Sequence, residues 1–117
     1  MYNNTYIQQL KEKLSELNPH KVILFGSHAY GTPHKDSDID LLVVTNDEFL
    51  PQTCKEREEL YINVAEFVLD ILEQVPVDLL VYTLPMYRQF IESENSFSKE
   101  ILSKGKVLYE SEHARMA

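Results

Sequence analysis

Four residues of this 117-residue chain have the types and spacing to handle phosphate: Gly26, Ser27, Asp38 and Asp40. Gly26 and Ser27 follow an apolar run, Val22-Ile23-Leu24-Phe25, and Asp38 and Asp40 open a second one ending in Leu41-Leu42-Val43-Val44. A glycine after a strand lets backbone approach a phosphate without a Cβ in the way. Ser27 adds a hydroxyl, and the N–H groups of the following turn form a concavity for anions. On a strand, Asp38 and Asp40 project from the same face while Ile39 and Leu41 turn into apolar packing. Two such carboxylates can bridge two Mg²⁺ ions ~3.5–4 Å apart, the spacing of two-metal phosphoryl transfer. A Gly-Ser turn alone, or Asp-x-Asp alone, fits an ordinary turn or a strand cap. Their ordered combination, with an apolar run beside each, points to a nucleoside triphosphate held with its α-phosphate open to in-line attack.

Positioning those residues requires strands on both sides of the motif. Lys21 to Phe25 reads as a buried strand and Asp38 to Thr45 as a second. Between them, Ser27 to Tyr30 forms a short helical turn closed by Gly31, and Pro33 to Ser37 a loop. Tyr6 to Leu17 carries Tyr6, Ile7, Leu10, Leu14 and Leu17 at helical spacing, ended by Asn18 and Pro19. After a polar loop over Asn46 to Thr53, the apolar spacing predicts one long helix from about Lys55 to Gln74. Pro76 ends it, and Val77 to Thr83 is a third strand. Two short helices follow, Leu84 to Ser93 and Ser96 to Lys104, the second closed by Gly105. Lys106 to Tyr109 reads as a last short strand. The expected organisation is a single domain over residues 1–110 with a disordered tail over 111–117.

Composition narrows the partners. Nineteen acidic residues against eleven Lys and Arg give a net charge of −8, which argues against direct, sequence-independent nucleic-acid binding. Cys54 is the only cysteine, so no internal disulfide forms, in keeping with a reducing cytoplasm. The N-terminal sequence lacks the pattern of a signal peptide, and no apolar run approaches the ~18 residues of a membrane span. A cytoplasmic location is expected. His20, His28 and His34 match no familiar metal-ligand spacing and read as solvated loop histidines.

GSHAYG followed by DSDIDLLVV resembles the signature of the DNA polymerase β-like nucleotidyltransferase superfamily. More narrowly, it resembles the minimal nucleotidyltransferases (MNT) encoded beside HEPN-domain toxins. The likeness covers nearly the whole chain. It implies an α/β (α+β) palm, a mixed sheet of about three or four strands flanked by helices. It also implies Mg²⁺-dependent transfer of a nucleoside monophosphate from a triphosphate, with a third carboxylate on a later strand. Asp78, inside the apolar run Val77 to Val81, matches that position, with an implied role in binding metal or deprotonating the attacking hydroxyl. Asp38, Asp40 and Asp78 are thus the candidate catalytic and metal-binding residues, and Gly26 and Ser27 the candidate phosphate-binding pair.

One departure from the family pattern stands out. Members commonly carry arginines where this chain has His28 and Tyr30, and neither replacement reproduces a fixed, bidentate phosphate ligand. Lys35 or His34 are candidates to restore charge from the loop. Relatives that modify antibiotics or tRNA carry further domains to hold the acceptor, and no such domain is expected in these 117 residues. The expected function is therefore transfer of AMP from ATP, with two Mg²⁺ ions, to a partner protein, a HEPN-type toxin that this chain neutralises. Two alternatives fit the same residues: a catalytically weak or inactive toxin-binding module, and a stand-alone small-molecule nucleotidyltransferase acting as a homodimer.

Overall fold

The computed structural model describes residues 2–31 and 37–112. Four strands form one mixed sheet in the order β3-β2-β1-β4, with β1 at Lys21–Phe25, β2 at Ile39–Val44, β3 at Val77–Tyr82 and β4 at Lys106–Glu110. β1 runs antiparallel to β2, from Lys21 opposite Val44 to Phe25 opposite Asp40. On its other side β1 pairs antiparallel with β4, with an irregularity between Val22 and Ile23. β3 runs parallel to β2, a pairing that a tight turn cannot make and that needs a helical crossover.

Alternation along β2 assigns its residues to two layers. Ile39, Leu41 and Val43 enter the larger core, with Leu10 and Leu14 of α1 (Tyr2–Ser15) and Leu60 and Val64 of α3 (Cys54–Ala65). Leu42 and Val44 face the other way, toward Tyr87 and Phe90 of α5 (Leu84–Ser93) and Ile101 of α6 (Ser96–Lys104). The sheet is therefore covered on both faces. Asp40 lies on the α5–α6 side by the same period of two.

Sequence spacing located α5 and α6 at their observed bounds because both carry strong start signals. The Thr83 hydroxyl accepts from the Met86 N–H, and the Asn95 side chain accepts from the Ser98 N–H at 2.8 Å, each satisfying an otherwise orphan donor. Elsewhere the bounds move. α1 starts earlier and ends at Ser15 rather than Leu17, because Asn18 adopts φ 50° and reverses the chain.

The long helix expected over Lys55 to Gln74 is interrupted. α3 gives way to a 3-10 turn at Glu66–Val68 and then to the one-turn α4, Leu69–Leu72. Val68 leaves helical geometry at φ −121°, ψ 20°. The bend keeps Val68, Ile71 and Val75 buried in the α1 core. It also puts the Asp70 carboxylate 2.9 Å from the Lys13 ammonium. Tertiary packing overrides a continuous helical period here.

Candidate active site

The candidate residues gather where β1 ends and β2 and β3 begin. Asp40 faces Phe25 across one ladder and Asp78 across the other. Like charges directly opposite one another on a sheet are unfavourable, and the half-buried Asp40 registers this. Its carboxyl is pushed above the usual carboxylate range by burial first, then by the charges of Asp78 and Asp38, with His28 opposing.

One expectation for the acids is corrected. Asp38 is not on the strand, which begins at Ile39, so it stands exposed just before β2. Asp78, inside an apolar run, has an edge location. It is the second residue of the edge strand β3 and open to water.

Gly26 does work that the sequence reading missed. At φ 74°, ψ −163° it occupies a region that is essentially glycine-only. A Cβ at this position would run into the Asp40 carboxylate. The glycine thus makes room for the acid. Ser27 opens the short turn α2, Ser27–Tyr30, whose Ala29 and Tyr30 N–H groups donate to the Gly26 carbonyl at 3.0 Å. Gly31 closes it in the left-handed conformation, its N–H donating to the Ser27 carbonyl.

His20 and His28 are not the solvated loop residues expected. His28 is half-buried in α2 with its Nε2 3.3 Å from the Ser37 carbonyl, tying the turn to the segment before Asp38. His20 is half-buried immediately before β1, its ring centroid 6.2 Å from that of Tyr87. His34 and Lys35, proposed sources of charge, lie outside the described residues.

Tyr30 and α6 were not legible as neighbours of the site. Burial is the largest influence on the Tyr30 hydroxyl and holds its proton more tightly than usual. The Gly26 backbone opposes this, while the Glu100 and Asp40 charges reinforce it. The hydroxyl is shut away from solvent without a well-formed hydrogen bond. The Lys104 ammonium lies 5.8 Å from the centre of the Tyr30 ring. Pairing across such a distance in sequence leaves no local pattern to find.

Metal binding can be judged from the donors. Hard carboxylate oxygens suit Mg²⁺, and the mutual repulsion of three acids is relieved by a cation between them. Among the described residues no three His, Cys, Asp or Glu side chains converge into a ready-made metal site. The exposed Asp38 and Asp78 side chains must therefore turn toward Asp40 to share an ion.

A mixed sheet carrying a Gly-Ser turn against paired carboxylates defines the class: this is a nucleotidyltransferase enzyme. The chain belongs to the nucleotidyltransferase domain family, which matches residues 7–109. It is 32% identical over 97 residues to "Putative protein adenylyltransferase MJ0604" of Methanocaldococcus jannaschii, covering 76% of this chain and 77% of that protein. The fold resembles a toxin–antitoxin structure solved with AMP-PNP, at 24% identity and TM-score 0.50, over 95% of this chain and 76% of the other. It also resembles a mutant of the MntA–HpeT toxin–antitoxin pair, at 20% identity and TM-score 0.50, over 93% and 77%.

Proposed function

We propose that this nucleotidyltransferase moves AMP from ATP onto a hydroxyl of a partner protein, a HEPN-type toxin modified on tyrosine, and acts as its antitoxin in the cytoplasm. The observation that carries the reading is Asp40 seated against Gly26 and in register with Asp78, which sets the acids beside the turn that would receive phosphate. The name of the archaeal relative and the nucleotide-bound toxin–antitoxin fold relative support the acceptor class and the nucleotide. Among the described residues no helix is long and apolar enough to cross a membrane.

In this reading Asp38, Asp40 and Asp78 hold Mg²⁺. When bound, the metal supplies charge stabilisation at the α-phosphate and at the leaving oxygen. Gly26 and Ser27 orient the triphosphate through backbone N–H groups and the hydroxyl. The acceptor oxygen attacks the α-phosphorus, the bond from that phosphorus to the β-phosphate oxygen breaks, and pyrophosphate leaves. Asp78, exposed on the edge strand, takes the acceptor's proton.

The test is Mg²⁺-dependent transfer of label from α-labelled ATP to the co-expressed partner, with the modified residue located by mass spectrometry. Label on the partner's tyrosine, absent with an Asp38→Ala/Asp40→Ala variant, is expected. No label with intact protein, or label that survives in the variant, overturns the proposal.

A second reading has one observation in its favour. His28 is engaged by the Ser37 carbonyl and Tyr30 is packed, so neither turn residue offers a fixed charge to phosphate. A docking module without catalysis would look like this. Calorimetry with ATP and Mg²⁺ separates the two, since only the enzyme binds the nucleotide.

A further inference from the structure

The site as described has three acids and, on the turn itself, no fixed cation. A triphosphate brought to that end adds further negative charge, so some positive group must meet it. The described residues offer one from an unexpected quarter, the C-terminal helix.

We propose that Lys104, the last residue of α6, grips the β- and γ-phosphates of the nucleoside triphosphate and takes over the role of a turn cation. The inference rests on the nucleotidyltransferase reading of this site. Its ammonium sits 5.8 Å from the Tyr30 ring centre. The hydroxyl of that same tyrosine is near enough to the Gly26 backbone, Asp40 and Glu100 to feel all three. Tyr30 is the last residue of the turn that Gly26 opens, so its contact with Lys104 brings the end of α6 to that turn.

The placement of Lys104 is held by the fold. Phe97 and Ile101 anchor α6 to the sheet, the Phe97 ring lying edge-on to Phe25 at 5.7 Å. Gly105 then lets the chain turn into β4. A Cβ there would lie 2.5 Å from the Ile101 carbonyl oxygen and 2.9 Å from the Ile23 Cγ2. Backbone position is therefore constrained on both sides of Lys104, whereas its side chain is exposed.

That side chain is also available. Lys104 makes no ion pair among the described residues, even with Glu100 one helical turn earlier. It rests on an aromatic face, a contact weak at exposed positions and readily given up for phosphate. An ammonium on a four-carbon stem binds phosphate as a point charge and does not need the fixed fork of arginine. Closing on phosphate would also screen the nucleotide from Glu100.

The experiment is calorimetric binding of Mg²⁺·AMP-PNP and of AMP, at one salt concentration, to wild type, Lys104→Ala, Lys104→Arg and Lys106→Ala. Lys106, two residues on and also exposed, controls for general charge. Lys104→Ala should weaken AMP-PNP about tenfold with AMP changed less than about twofold. Lys104→Arg should restore most of the loss, and Lys106→Ala should have little effect. Unchanged AMP-PNP affinity in Lys104→Ala overturns the inference alone, as does an equal loss for AMP or an equal effect of Lys106→Ala. Failure of wild type to bind AMP-PNP overturns the nucleotidyltransferase reading, and this inference with it.

Discussion

The parallel pair β2–β3 has two unlike ends. At its start Asp40 stands opposite Asp78, and two rungs along the same face Leu42 stands opposite Leu80, then Val44 opposite Tyr82. Leu42 and Val44 are completely buried. One end thus concentrates like charge, a glycine-only backbone conformation and an acid that resists ionisation. The other end is ordinary apolar packing closed by aromatic rings, with Tyr82 and Phe90 edge-on at 5.5 Å. The lesson is a division of labour: apolar rungs stabilise the sheet and so hold in place an acidic rung that works against it.

The comparison breaks first at the apolar end. Leu42→Ala should cost about 2–5 kcal/mol of stability, since it leaves a cavity between the sheet and α5–α6. Denaturant unfolding measures this, and the remaining folded protein should still bind nucleotide in the cold. At the acidic end the reverse holds. Asp40→Ala should lower transfer at least ~100-fold while unfolding stays cooperative. A loss of both properties in either variant would dissolve the division.

Gly26→Ala lies between these cases, because it touches both function and fold. Its backbone strain is about 1–3 kcal/mol, and the new Cβ displaces the Asp40 carboxylate. Lower stability together with lost transfer is expected, read by melting and by label incorporation.

A smaller effect sharpens the contrast. The folded pKa of Asp40 is raised above its unfolded value, so the folded state binds the proton more tightly. Stability from this group is then greatest at low pH and falls as pH rises from the ordinary carboxylate range through the raised folded value. Asp40→Asn removes that loss, so its melting temperature at pH 7 should exceed that of wild type. The gap should close in acid, and added Mg²⁺ should narrow it at neutral pH by stabilising wild type alone. A variant less stable than wild type at pH 7 would contradict the electrostatic account. The smallest effect belongs to the exposed Lys13–Asp70 pair, where Lys13→Ala should leave the melting temperature nearly unchanged.

Much of this layout is readable in the chain because its signals are local. Thr83 and Asn95 mark helix starts, Pro76 and Gly105 mark ends, and the alternation around Ile39 to Val44 assigns faces. The break at Val68 has no Gly or Pro to announce it, since it arises from packing against α1. Gly26 was legible as a special backbone position, but its Asp40 neighbour depends on strand register. The exposure of Asp78 depends on β3 being an edge, which sheet order decides and local sequence does not. Lys104 became a candidate only through Tyr30, a contact made by the fold as a whole.

The central claim is that the acidic rung exists to transfer nucleotide. It is tested most directly by following label from α-labelled ATP onto the co-expressed partner in the presence of Mg²⁺, with wild type and Asp40→Asn side by side. Label from wild type alone, with the asparagine variant folded and at least as heat-stable at pH 7, is the predicted result. Equal labelling by both proteins, or none by wild type, would contradict it.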